Sequence, residues 1–247
     1  MRLSVIGAGP AYTDRQDAVG AAYLVTQDGT RLLLDLGQGA FPRIFPFVHP
    51  TSIDAFVVSH LHPDHFIDLV PLRHYLRYEF EPPRRARVIG PRDLARRLDA
   101  LHAENDFTSE ALDCEVLGEE RRQIGSLSLQ ARLVTHTDES YAMRVAAATG
   151  PGLVYSGDVG RAFDVAPLVQ PGDTLLTEVA FGPGPVPEGV LHLDGPAVGD
   201  LAAATNPARV LLTHVLSGRD QDATIAAVRQ RWDGPVEFVW PGSELDV

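Results

Sequence analysis

Short apolar runs punctuated by turn residues set the terms on which this chain can fold. RLSVIG (2–7), AAYLVTQ (21–27), RLLLDLG (31–37) and AFVVSH (55–60) have the length and content of strands, and QDGT (27–30) supplies a turn between two of them. The period then changes in PDHFIDLVPLRHYLRYEF (63–80): Phe66, Leu69, Val70, Leu72, Leu76 and Phe80 fall near one helical face. Pro71 is expected to break or kink that helix. ARVIG (86–90) returns to a strand, and PRDLARRLDALHAE (91–104) reads as an amphipathic helix opened by proline.

A second block of strands covers 121–180, with SLSLQARLVTH, SYAMRVAAA, GLVYSGD and DTLLTEVA separated by short turns. Two α/β units close the chain: GPAVGDLAAAT leads to ARVLLTHV, and DATIAAVRQRW leads to VEFVW. Two strand blocks, each closed by helices, predict an α/β fold of two sheets with helices outside. No linker, tandem repeat or low-complexity tract interrupts the sequence, so one domain over 1–247 is expected.

The run AFVVSH delivers a dense polar cluster, in which His60, His62, Asp64 and His65 occupy six successive positions. A histidine-rich polar loop is the plain reading. The other candidates argue for more: His136 ends ARLVTH, Asp158 ends GLVYSGD and His214 follows ARVLLT. Strand ends along one sheet edge converge in space, and a rigid scaffold can aim side chains from them. Imidazoles and carboxylates suit zinc, with manganese or iron also compatible. The wide spacing means that the fold, and not a local finger, assembles the site.

Composition narrows the function classes. A formal charge of −12 argues against a broad basic surface for nucleic acid. All 21 basic residues are arginine, so lysine chemistry such as Schiff-base formation is absent. The single cysteine, Cys114, excludes an internal disulfide framework and has no activating neighbour. No apolar stretch is long enough to span a bilayer, and the N-terminal run is too short and broken to serve as a secretory signal. A cytoplasmic protein with no membrane partner is expected, with a homodimer compatible and the oligomeric state open.

His60-Leu-His62-Pro-Asp64-His65 resembles the H-x-H-x-D-H signature of the metallo-β-lactamase superfamily, and His136, Asp158 and His214 match its later motifs in order. The resemblance runs from LSVIGAGPAY through LLLDLGQGA to LLTHV. It implies a four-layer αββα sandwich of two mixed β-sheets with a dinuclear site at one edge. By that resemblance His60, His62 and His136 hold one divalent ion, Asp64, His65 and His214 hold the other, and Asp158 bridges them. A metal-bridging hydroxide then attacks carbon or phosphorus. Asp64 thereby counts among the catalytic candidates.

Further pieces are similar to the ribonuclease Z and phosphodiesterase branch: GAGPAY (7–12), LLLDLGQGA (32–40), SYAMR (140–144), LLTEVAF (175–181) and LHLD (191–194). In that branch an extra histidine helps stabilise the transition state or protonates the leaving oxygen, and His192 is the matching position. Glu178 is then either a second catalytic candidate or a buried hydrogen-bond partner of His192 or a backbone amide. GAGPAY lacks the third glycine of a dinucleotide fingerprint and reads as a tight turn. Ser217 and Arg219 are candidates for gripping a substrate phosphate. His49, His74 and His102 have no place in the pattern and read as surface or packing residues.

Only a hairpin fits between His136 and Asp158, where ribonuclease Z commonly carries its tRNA arm. A tRNA substrate is therefore not expected, and a small or cyclic phosphodiester is. The alternatives are hydrolysis of a carboxylic ester, thioester or lactone at the same centre, and a non-catalytic metal-dependent accessory role. A secreted β-lactamase fits poorly without a signal. A flavin-linked diiron oxidoreductase fits poorly because its first motif carries Glu where this chain has His62.

Overall fold

The expected αββα sandwich is observed. The structure, a computed structural model, describes residues 1–15 and 18–247. Its first half supplies β1 (Arg2–Gly7), β2 (Ala22–Gln27), β3 (Thr30–Leu34), β4 (Ala55–Val57), β5 (Ala86–Gly90) and β6 (Leu112–Val116). The second supplies β7 (Arg122–Ile124), β8 (Leu127–Leu133), β9 (Tyr141–Ala147), β10 (Gly152–Tyr155), β11 (Thr174–Glu178), β12 (Arg209–Thr213), β13 (Val236–Phe238) and β14 (Glu244–Asp246). They form two seven-stranded sheets, ordered β14-β1-β2-β3-β4-β5-β6 and β13-β12-β11-β10-β9-β8-β7. Both sheets are mixed, and in each an antiparallel part passes into a parallel part at β3–β4 or β10–β11.

Three apolar layers hold this together. Leu3, Tyr23, Leu34, Met143, Tyr155 and Leu211 are among the residues packed between the two sheets. On the outer face of the first sheet lie α1 (Phe41–Ile44), α2 (Pro63–Phe66), α3 (Leu69–Tyr78) and α4 (Leu94–His102), over Ile6, Leu33, Phe56 and Val88. On the second lie α5 (Gly195–Thr205) and α6 (Gln221–Arg229), over Val154, Leu175 and Leu212. Covered on both faces, the central strands β10, β11 and β12 are buried except at Arg209, which is why they read as continuous apolar runs and not as alternation. The last two helices are capped, with Asp194 accepting from the Ala197 amide and Asp220 from the Ala223 amide.

Four expectations need correction. The 63–80 helix breaks at Ile67–Asp68 and not at Pro71, which sits in the first turn of α3, where a missing N–H costs no helical bond. GAGPAY does not make a tight turn: β1 ends at Gly7, β2 begins at Ala22, and Gly9 donates to the distant Val19 carbonyl. Strand β6 was not anticipated because its LDCEV sequence is largely exposed, and Cys114 lies on it. Strand β14 was not anticipated either, since three polar-flanked residues carry no local signal and pair back with β1. No helix among the described residues is long and apolar enough to cross a membrane.

Candidate metal centre

All seven candidate ligands converge at one edge of the sandwich, beyond the C-terminal ends of the strands that precede them. His60 and His62 follow β4, His136 follows β8, Asp158 follows β10 and His214 follows β12, while Asp64 and His65 ride on α2. Pro63 at the start of α2 lets the chain turn directly from extended His62 into helix. Tight packing sets the depth of that turn. A Cβ on Gly37 would lie 1.9 Å from the Asp64 carbonyl, which accepts a hydrogen bond from Ala21 instead. His214 itself takes a left-handed backbone with φ of 56°, an uncommon state for a non-glycine residue that aims its ring away from the strand.

The ligand atoms form two groups that share Asp158. His60, His62, His136 and Asp158 make one, and Asp64, His65, Asp158 and His214 the other, with the ligand atoms of each within 4.8 Å of one another. Asp158 divides its oxygens between them. Its Oδ2 lies 3.7 Å from His60 Nε2 and 3.6 Å from His136 Nε2, and its Oδ1 lies 3.3 Å from the Nε2 atoms of both His65 and His214. Asp64 Oδ2 completes the second group, 3.6 Å from His65 Nε2 and 3.5 Å from His214 Nε2. Two ligands each about 2.1 Å from a tetrahedral ion stand ~3.4 Å apart. The donor set therefore fits divalent ions in spacing as well as in chemistry.

Satisfaction of the remaining polar atoms tests that fit. Among the described residues, the buried polar atoms without a hydrogen-bond partner include His60 Nε2, His65 Nε2, Asp64 Oδ1 and Asp158 Oδ1. Unpaired buried groups are costly, so their concentration at one point fits residues that would hold a metal ion. The opposite edges of two of the rings are anchored, while His214 Nδ1 has no hydrogen-bond partner among the described residues. His136 Nδ1 donates to the Leu191 carbonyl at 2.7 Å, and His65 Nδ1 meets Asp35 at 2.7 Å. Burial and the neighbouring imidazoles hold His60 well below the usual histidine range, so it is neutral and ready to ligate. Burial disfavours the Asp158 charge, yet the facing His214 and His65 hold its carboxyl well below the ordinary range.

Beside the two groups stands His192, whose Nδ1 is 3.0 Å from Glu178 Oε1 and 3.9 Å from Asp158 Oδ2. Glu178 is buried and also accepts from the amides of Val159, Ala180 and Leu193. Burial works against a charge on His192, but the Glu178 hydrogen bond and the surrounding carboxylates push its pKa up to about 9. A cleft of about 390 Å³ opens above, bordered by Tyr12, Asp64, Phe181, His192, His214 and Leu216.

The remaining candidates have other partners. Arg144 makes a buried two-point ion pair with Asp173 and does not reach the centre, and Tyr141 is in the inter-sheet core. Ser217 Oγ engages Thr13 and the Asp14 amide, while Arg219 lies over the Phe181 ring. His49 packs among Phe45, Tyr75 and Phe80, and His74 against His102. Asp35 and Ser59 adjoin the ligands but were not singled out from the sequence. Both sit inside the quoted motifs, and an aspartate ending the strand RLLL was the available signal.

A family model described as a beta-lactamase superfamily domain matches residues 30–215. An uncharacterized protein of Mycobacterium leprae is 30% identical over 255 residues, covering 100% of this chain and 89% of that protein. The crystal structure of YhfI from Bacillus subtilis, a metallo-beta-lactamase fold protein, superposes with a TM-score of 0.87 at 20% identity, over 99% of this chain and 98% of that one. Human tRNase Z, short form, superposes with a TM-score of 0.72 at 18% identity, over 100% and 99% of the two chains. At these identities the two structures speak for the fold alone.

Proposed function

The chain belongs to the beta-lactamase superfamily, and from that premise we propose that it is a dinuclear metal-dependent phosphodiesterase acting on a small or cyclic phosphodiester. Zinc is the ion best matched to a set of imidazoles and carboxylates. Two such ions, when bound, lower the pKa of water and offset charge developing on the phosphoryl group.

The observation that carries the phosphodiester reading is the placement of His192. It borders the cleft beside the shared carboxylate of Asp158, and its Nδ1–H is held by Glu178. That leaves Nε2 free to donate a proton to a departing alkoxide, a poor leaving group for which general-acid assistance matters. Glu178 is committed to three backbone amides and His192, so its part is to orient and charge the imidazole. Asp64 acts through the second ion position, between His65 and His214. The His136–Asp158 connection is the β9–β10 hairpin, which leaves no arm for tRNA and favours a small substrate.

One observation favours a second reading. Tyr12, Phe181 and Leu216 give the cleft an apolar wall, which suits the acyl part of a carboxylic ester or lactone. Turnover by the zinc-loaded protein separates the two. Hydrolysis of bis(p-nitrophenyl) phosphate and of members of a cyclic-nucleotide panel supports the phosphodiesterase. Activity confined to lactones or acyl thioesters replaces it with the ester hydrolase.

A further inference from the structure

No arginine is among the described residues that border the cleft above the metal centre. Arginines stand instead along a second cleft of about 480 Å³, and His62 borders both. One wall of this groove is the turn 91–93, which leads from β5 into α4. The other is the segment 137–139, which follows His136 directly. The Arg92 amide donates to Glu139 Oε2 at 2.6 Å and ties the walls together. The groove therefore runs between the turns that carry His62 and His136, two members of the first ligand group.

Most of its charges are already matched. Asp93 pairs with Arg96 at 2.6 Å, and Glu139 is committed to the Arg92 amide. Arg92 Nε stands 3.8 Å from Glu139 Oε1, beyond hydrogen-bond range. Asp138 is exposed and makes no ion pair among the described residues. Arg97, exposed on α4, is the exception on the positive side. Its guanidinium has one polar contact among the described residues, Nη1 to the Leu61 carbonyl at 3.5 Å, the outer limit of a hydrogen bond. Leu61 lies between His60 and His62, so a nearly unspent five-donor fork stands beside the ligand turn. With Arg96 counted, carboxylates and guanidinium groups are equal in number here. Recognition then comes from the directed fork of Arg97, not from a diffuse positive field.

A phosphodiester at the centre has two ester arms. His192 borders the first cleft and not the groove, so the arm it protonates departs on the side of Tyr12, Phe181 and Leu216. The retained arm can run past His62 toward Arg97.

We propose that Arg97 is a specificity-determining residue, and that it grips a second phosphate carried on the retained arm of the substrate. This rests on the phosphodiesterase reading. Water supplies the new P–O bond, the bond to the departing arm breaks, and His192 protonates the alkoxide. The retained product is then a bisphosphate, with one phosphate at the centre and the other on Arg97.

Calorimetric titration of the zinc-loaded full chain with adenosine 3′,5′-bisphosphate and with the 3′- and 5′-monophosphates tests this. The wild type is expected to bind the bisphosphate at least about 10-fold tighter than either monophosphate, as one charge-assisted contact allows. Arg97→Gln should abolish that advantage and leave the monophosphate dissociation constants within about threefold. Arg97→Lys should keep part of it, because the charge remains without the fork. Absence of binding, equal binding of the three ligands, or an advantage undiminished in Arg97→Gln overturns the proposal. So does an equal loss for all three, which makes Arg97 a support of the ligand turn. Should Arg97→Gln fail to take up zinc, Arg97→Lys decides, and an undiminished advantage there overturns the proposal. Binding needs no turnover, so a wild-type protein that hydrolyses no phosphodiester refutes the phosphodiesterase reading as a separate result.

Discussion

His62 Nδ1 and His136 Nε2 lie 3.1 Å apart, although 74 positions separate the two residues in the chain. His136 gives its Nδ1 proton to the Leu191 carbonyl, so its Nε2 presents a lone pair. Without an ion, His62 can answer that lone pair with a proton. With one, both nitrogens become donors to the same centre, and the hydrogen bond is replaced by coordination.

Metal loading is therefore expected to stabilise the fold as well as to supply chemistry. An ion that binds only the folded chain contributes about 2.7 kcal/mol at a hundred times its dissociation constant. Thermal unfolding with excess zinc is expected at a clearly higher temperature than with a chelator. Equal melting points in the two conditions contradict the assignment of the ligand groups.

Asp64→Ala leaves His60, His62, His136 and Asp158 in place, so one metal equivalent is expected to persist. Loss of the second ion removes electrostatic stabilisation of the transition state, and turnover is expected to fall by about 10²-fold or more. Metal analysis alongside kinetics checks this. A variant that keeps two equivalents and full activity rules out Asp64 as a ligand.

His192→Ala is expected to lower kcat by about 10²–10⁴-fold on substrates with an alkoxide leaving group. The loss should be smaller on bis(p-nitrophenyl) phosphate, whose phenolate leaves without a proton. The sign of the pH effect follows: the donor works while protonated, so the rate falls as pH rises through the His192 pKa. That pKa is about 9 before ions are bound, and nearby cations lower it. The alkaline limb should thus lie at or below about 9 and vanish in His192→Ala. Glu178→Gln should move the limb downward, because it weakens the bond that keeps the imidazole charged.

The Arg144–Asp173 pair supports the fold and leaves the centre alone. Both side chains are buried and meet at 2.7 and 2.8 Å. Asp173→Asn strands a buried guanidinium and is expected to cost about 3–5 kcal/mol in urea unfolding, with zinc stoichiometry unchanged. Burial opposes the Asp173 charge, but Arg144 and the amides of Gly152 and Gln170 hold its carboxyl below the ordinary range. Its contribution is therefore present above the ordinary carboxylate pKa and is lost as pH falls through the lower folded value. The variant should show a flatter loss of stability on the acid side.

Much of this centre was legible because chemistry-bearing residues sat where strands end. AFVV, ARLVT, VYSG and VLLT are apolar runs that announce themselves locally, and His60, His136, Asp158 and His214 follow them. Arg144 shows the limit of such reading. Its place in SYAMR suggested the site, but the side chain faces Asp173 across the sheet, a partner 29 positions away. Tyr12 shows another: a loop read as a tight turn instead carries it to the cleft.

The sequence by itself determined the two-sheet α/β architecture, the candidate ligands at the strand ends and the presence of His192, because periodicity and residue chemistry are local properties. Only the tertiary structure decided how those groups are held. Asp35 meeting His65, Leu191 fixing His136 and Glu178 fixing His192 are contacts between separate segments. Which atom of a ring carries its proton depends on the acceptor that packing brings within reach, and no local pattern encodes that distance.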